Sequence, residues 1–230
     1  MSSAATPGAK PQEKSSSVGL RLAYGFTIFT SAFLLFQLQP IITKLILPWF
    51  GGAAAVWSLC LLFFQTVLLF GYLYAHLLTE HFQARSQAWI HATLLGLSLL
   101  VLPIVPRVSL QPSGWEDPAS RVLLVLAITI GLPYFLLSST SPLLQAWIAR
   151  SEATAAPYRL YALSNAGSLL GLLTYPVFFE PRTSNYHQAI GWSASYAGVA
   201  VLCAGLAFSS AKRRLARSER RFRSRRRFSG

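Results

Sequence analysis

Residues Phe36–Gly52 read FQLQPIITKLILPWFGG and sit inside a long apolar run, yet Gln37, Gln39, Pro40, Lys44 and Pro48 interrupt it. Two amides, a cation and two helix breakers in apolar surroundings mark either a functional site within a membrane or the level at which the membrane ends. On an ideal helix Gln37 and Lys44, seven residues apart, point the same way, while Gln39 and Thr43 fall near the opposite side. Pro40 frees the carbonyl of Phe36, so the neighbouring amides have a local structural task. A span of about 20 residues from Leu22 ends near Ile41 or Ile42, which lets Lys44 snorkel outward beside Trp49. Two readings stay open: an interfacial anchor with a proline kink, and an inward-facing polar site.

The surrounding composition favours lipid as the solvent. The chain has 230 residues, 53% hydrophobic and 12% charged, with mean hydropathy +0.45, where a soluble domain carries about 25% charged residues. Six apolar stretches recur: Leu22 to about Leu47, Val56 to Leu78, Trp89 to Val105, Val122 to Ile148, Tyr158 to Phe179, and Ala189 to Phe208. Each approaches the length of a membrane-crossing helix, so the expected fold is all-α, a polytopic helix bundle of about six spans. Residues 1–18 read as a disordered polar lead, residues 19–210 as the membrane domain and residues 211–230 as a basic tail.

Orientation follows from Lys and Arg. With both termini in the cytosol, Lys10, Lys14, Arg21, Arg85, Arg150, Arg159 and the ten basic residues after Ser210 lie inside, against Lys44, Arg107, Arg121 and Arg182 outside. The positive-inside rule therefore favours N-in and C-in, and the tail decides it. A basic block directly after a span meets the anionic lipid of the cytoplasmic leaflet rather than nucleic acid.

An internal repeat is one reading of a weak match. LFQLQPIITKLI (35–46) aligns without gaps with LSSTSPLLQAWI (137–148), with Pro40 opposite Pro142, an offset of 102 that maps spans one to three onto four to six. A 3+3 inverted repeat with broken helices at matching places is a plan of secondary transporters; coincidence is the alternative, since membrane helices tolerate prolines. Gln37, Gln39, Lys44, Ser138, Ser139, Ser141 and Asn165 are the candidate intramembrane polar residues, with helix breaks at Pro40 and Pro142. Gly167 and Gly171 form a small-residue face on span five that suits helix packing within the bundle.

Three blocks together carry a family resemblance: FQLQPIITKLILPWFGGAAAVWSLCLLFFQTVLLFGYLYAHLL, LPYFLLSSTSPLLQAWIAR and PYRLYALSNAGSLLGLLTYPVFFEP. From about Tyr24 to Phe208 the chain resembles the membrane half of bacterial membrane-bound spermidine synthase-like proteins, a major-facilitator-like region fused to a soluble synthase domain. The resemblance implies a multi-pass domain of the bacterial inner membrane that precedes a cytosolic aminopropyltransferase-like module. This chain departs from the pattern by stopping where that module begins. The tail is either a natural end or an out-of-frame remnant.

Catalytic chemistry finds little support. A Rossmann-like aminopropyltransferase needs a Gly-rich turn after a strand and acidic residues for the polyamine. The paired Gly51 and Gly52 sit between apolar helices, and Glu13, Glu80, Glu116, Asp117, Glu152, Glu180 and Glu219 scatter over tails and loops. The chain is therefore expected not to be an enzyme by itself. Cys60 and Cys203 suggest neither a disulfide framework nor a metal site. His76, His81 and His91 around the second hairpin read as solvated interfacial histidines, so no metal and no cofactor are expected. Ser138 to Ser141 lack a base partner; they satisfy carbonyls near Pro142 or line a polar cavity. Trp49, Trp57, Tyr72, Tyr74, Trp89, Trp147, Tyr175 and Trp192 read as an aromatic belt.

Two functions follow. The first is a non-catalytic membrane module that anchors or partners a soluble synthase-like chain. The second is a transporter-like half unit that forms a homodimer; the absence of mid-span carboxylates argues against a polycation as its solute.

Overall fold

Runs of Leu, Phe and Ala uninterrupted by charge leave the backbone only one way to satisfy its polar groups without water, and the chain folds accordingly as helices. The structure, a computed structural model, describes residues 11–52, 54–115, 117–151 and 157–228, and contains no strand among them. Helix α1 spans Pro11–Ile46, and a short 3-10 turn, Leu47–Phe50, follows. After it come α2 (Ala54–His81) and α3 (Ala84–Leu99). Helix α4 (Pro118–Leu126) runs through a π-helical turn, Ala127–Gly131, into α5 (Leu132–Ser151). Helix α6 (Pro157–Thr174) likewise widens into a π turn, Tyr175–Phe179, before the single turn α7 (Glu180–Arg182), and α8 (Asn185–Phe228) closes the chain.

Five helical segments are long and apolar enough to cross a membrane: 18–50, 54–81, 118–150, 158–182 and 185–216. The expected third span differs. Helix α3 ends at Leu99, and its 16 residues rise only about 24 Å against about 30 Å of hydrocarbon. The chain then leaves helical geometry through turns up to a cis Leu102–Pro103 bond.

Two further boundaries depart from expectation. Helix α1 begins at Pro11, inside the stretch expected to be disordered, and α8 continues as helix to Phe228 through the basic tail. Lysine- and arginine-rich sequence has good helix propensity, and an existing span supplies the costly nucleus. Residues 1–10, Glu116 and Glu152 lie outside the described residues.

Packing places α1 at the centre, against α5, α6 and α8, while α2 packs on α5 and α3 on α8. The small-residue face of α6 does pack within the bundle. A Cβ on Gly167 would stand 2.5 Å from the Phe29 carbonyl oxygen, and one on Gly171 2.6 Å from that of Phe33. Helix α2 makes the same approach to α5, where a Cβ on Gly71 would stand 3.0 Å from the Phe135 carbonyl oxygen and 1.7 Å from Ser138 Oγ. Only glycine permits backbones this close.

Polarity runs inside out relative to a water-soluble bundle. Leu61, Leu62, Leu69, Phe70, Leu173 and Val201 are exposed, whereas Thr27, Ser31, Gln37, Gln87, His91, Ser98 and Ser139 are buried. The aromatic-belt expectation fails for two tryptophans, because both have a polar partner in the core. Trp147 Nε1 donates to Gln87 Oε1 at 2.8 Å and Trp192 Nε1 to the Leu34 carbonyl at 2.8 Å.

Candidate functional site

Five of the seven polar candidates separate into two clefts at different levels of the bundle, and Gln37 and Ser139 line neither. The first, about 420 Å³, lies among α1, α2, α5 and α6, and holds Ser138, Ser141, Pro142, Gln145, Ser164 and Asn165. Ser141 Oγ donates to Ser164 Oγ at 3.1 Å and accepts from Gln145 Nε2 at 2.9 Å, so Ser141 and Gln145 of α5 and Ser164 of α6 form one neutral network. Tyr72 and Tyr161 flank its exposed mouth.

The second cleft, about 320 Å³, is lined by Gln39, Pro40, Thr43 and Lys44 of α1, by Trp57, Cys60 and Leu61 of α2, and by Leu172, Tyr175 and Glu180. Along α1 its centre lies about 11 Å beyond that of the serine cleft. Lys44 forms an ion pair with Glu180, with the two side chains 28% and 43% exposed. Its ammonium also sits 5.6 Å from the centre of the Tyr175 ring. Gln39 Nε2 donates to Tyr134 Oη at 3.0 Å, and Thr43 Oγ1 to the Gln39 carbonyl at 2.7 Å.

The lining positions of the two clefts correspond. Ser141, Pro142 and Gln145 stand 102 positions after Gln39, Pro40 and Thr43. Tyr161, Ser164, Asn165 and Ser168 stand 104 positions after Trp57, Cys60, Leu61 and Phe64. Phe33 and Phe135, whose carbonyls lie under Gly171 and Gly71, are themselves 102 apart.

Helical phase alone does not place Lys44. Gln37 is buried with Nε2 unpartnered and lines neither cleft, while Lys44 lines the second cleft with Gln39 and Thr43. Two turns further along α1 the long lysine chain reaches the Glu180 carboxylate, a partner that helical phase does not identify.

Ser139 is fully buried, and its hydroxyl donates to the Leu136 carbonyl. Ser138 donates to Phe135, and Thr140 to Leu136. These bonds go to the turn before the carbonyl that Pro142 frees. Of the cluster, Ser138 and Ser141 reach the cleft.

His91 corrects the interfacial reading of the histidines. It is fully buried, its Nδ1 lies 3.3 Å from Tyr74 Oη and its Nε2 3.5 Å from Cys203 Sγ. His76, His81 and His187 are exposed. The signal that could have found His91 is its spacing: Gln87, Ala88, His91, Leu95 and Ser98 form one buried stripe of α3. No cluster of three or more metal-ligating side chains occurs among the described residues. No protein-family model, no curated protein and no solved structure matches the chain.

Proposed function

We propose that this chain is an integral membrane module of the spermidine synthase-like type, whose bundle is a transporter-like half unit binding a small polar solute. Six spans, with α3 and the non-helical segment to Val105 making the third crossing, form two inverted three-span repeats in an N-in, C-in topology. One cleft serves each half of the bilayer. The observation that carries this reading is the correspondence of the two clefts, whose linings relate α1 to α5 at an offset of 102 and α2 to α6 at 104. Prolines at matching positions beside a polar cleft suit an inverted repeat, and here α1 and α5 continue as helices through Pro40 and Pro142. Pairing of Lys44 with Glu180 leaves the second cleft without net charge, so it suits a neutral or zwitterionic solute better than an anion or a polyamine. Both clefts open on the exposed seam between α2 and α6, where a second copy completes the path.

Cysteine accessibility in sealed vesicles tests the arrangement. In a background carrying Cys60→Ala and Cys203→Ala, a membrane-impermeant thiol reagent is expected to reach Ser141→Cys from the side of the basic tail and Thr43→Cys from the other. Modification of both from one side would overturn the inverted repeat. Uptake of small neutral polar solutes into proteoliposomes is expected to fall to background with Ser141→Leu or Gln39→Leu, each of which fills one cleft.

A second reading, an anchor for a soluble aminopropyltransferase-like chain, is favoured by α8, which continues as one helix through the basic sequence to Phe228. Co-purification of such a chain from native membranes supports it; loss of the association when residues 217–230 are removed would assign the contact to that helix.

A further inference from the structure

Among the features of the lysine cleft, Tyr175 is the least expected. Its side chain is 4% exposed, its hydroxyl has no hydrogen-bond partner, and it lines the cleft. A buried hydroxyl without a partner has lost its hydrogen bonds to water and gained none in return. Tyr175 also opens the π turn of Tyr175–Phe179, a widened helical geometry that recurs at functional sites. The same cleft holds a cation and a carboxylate paired with each other at its edge, Lys44 and Glu180, and an otherwise apolar wall from Trp57, Leu61 and Leu172.

We propose that this cleft is a zwitterion site, taking an α-amino acid with an apolar side chain. Resting on the solute-binding reading above, this names the class of solute. The ligand carboxylate displaces Glu180 from Lys44 and accepts from Tyr175 Oη. Its ammonium pairs with Glu180, and the side chain lies against Trp57, Leu61 and Leu172. One ion pair within the protein becomes two across the interface, so no charge is left unpaired and the buried hydroxyl gains an acceptor. A simple amine leaves Lys44 without its counter-charge, and a simple carboxylic acid does the same to Glu180. The site therefore discriminates through the penalty of an uncompensated charge.

The test uses the full chain in lipid nanodiscs with three probes of one carbon skeleton: leucine, 3-methylbutylamine and 4-methylpentanoate. Leucine is expected to bind saturably, at least about tenfold tighter than either single-charge probe, a factor worth about 1.4 kcal/mol. Lys44→Met and Glu180→Gln are each expected to weaken leucine about tenfold or more, and Tyr175→Phe by a smaller factor of about three to ten. The double exchange Lys44→Glu with Glu180→Lys restores binding, because a zwitterion can turn end for end. A purely structural ion pair would recover stability in the double exchange but leave leucine unbound.

Equal binding of the amine or the acid, or leucine affinity unchanged in Lys44→Met and Glu180→Gln, overturns the proposal. Should a charge variant not purify as a monodisperse species, Tyr175→Phe decides it: unchanged leucine affinity there overturns it too. Leucine failing to bind while Ser141-dependent uptake of a neutral solute persists would remove the zwitterion class and leave the solute-binding reading standing.

Discussion

A missing side chain decides how closely these helices approach. Gly171 meets the Phe33 carbonyl and Gly71 meets Phe135 and Ser138, so a single methyl group has nowhere to go. Gly171→Ala is expected to cost about 1–3 kcal/mol, the usual penalty of forcing an extra carbon into a packed contact. Gly205 lies on α8 with nothing within 4 Å of the added carbon, and Gly205→Ala is expected to be neutral or stabilising by up to about 1 kcal/mol. Reversible unfolding in mixed micelles measures both, and equal effects of the two substitutions would contradict the close-approach account. The Lys44–Glu180 pair, by contrast, is partly solvated, and its contribution to stability is about 0–1 kcal/mol. Its importance lies in charge balance within the cleft.

At the scale of elements, the start of α4 and the length of α3 both make predictions. Asp117 caps α4, its carboxylate accepting from the Ser120 backbone N–H at 2.9 Å. Hydrogen bonds from Ser120 hold its carboxyl below the usual carboxylate range. A folded-state pKa that is depressed contributes stability above the unfolded value, and that contribution is lost as pH falls through the folded one. Thermal unfolding followed over this acidic range is expected to show a step that Asp117→Asn removes, since asparagine still caps but does not titrate.

Helix α3 is the shortest of the apolar segments. Under the proposed six-span arrangement, in which the non-helical stretch to Val105 completes a crossing, Gln83→Cys and Gln111→Cys are expected to label from opposite faces of the membrane. Labelling from one face would make α3 a re-entrant segment and place the termini on different sides.

For the whole molecule, the seam between α2 and α6 carries the consequence. Trp57, Leu61, Leu172 and Glu180 of one cleft and Tyr72, Tyr161 and Asn165 of the other are exposed along it. Polar groups facing lipid are costly, and a partner copy that covers them removes that cost. In nanodiscs the chain is expected to contain two copies, with a short bis-maleimide linking Leu172→Cys protomers but not protomers carrying Leu202→Cys on α8. Equal cross-linking at the two positions would count against a dimer across this seam.

What the sequence by itself determined is what depends on local chemistry. Hydropathy marked five of the six expected apolar stretches as membrane-length helices. The glycines of α6 marked a close contact, because chain length and missing side chains act within a few residues, whereas the helix breaks expected at Pro40 and Pro142 do not occur: α1 and α5 run through both prolines. The offset of 102 was already visible between α1 and α5.

The tertiary structure alone decided the rest. Gln37 and Lys44 parted company, the serine cluster divided between backbone carbonyls and a cleft, and His91 went to the core beside Tyr74 and Cys203. The partnership of Lys44 with Glu180 joins residues 136 positions apart, beyond the reach of any periodicity along one helix. Which face of a lipid-solvated helix turns inward is set by the helix it meets, since the membrane rewards every apolar face alike.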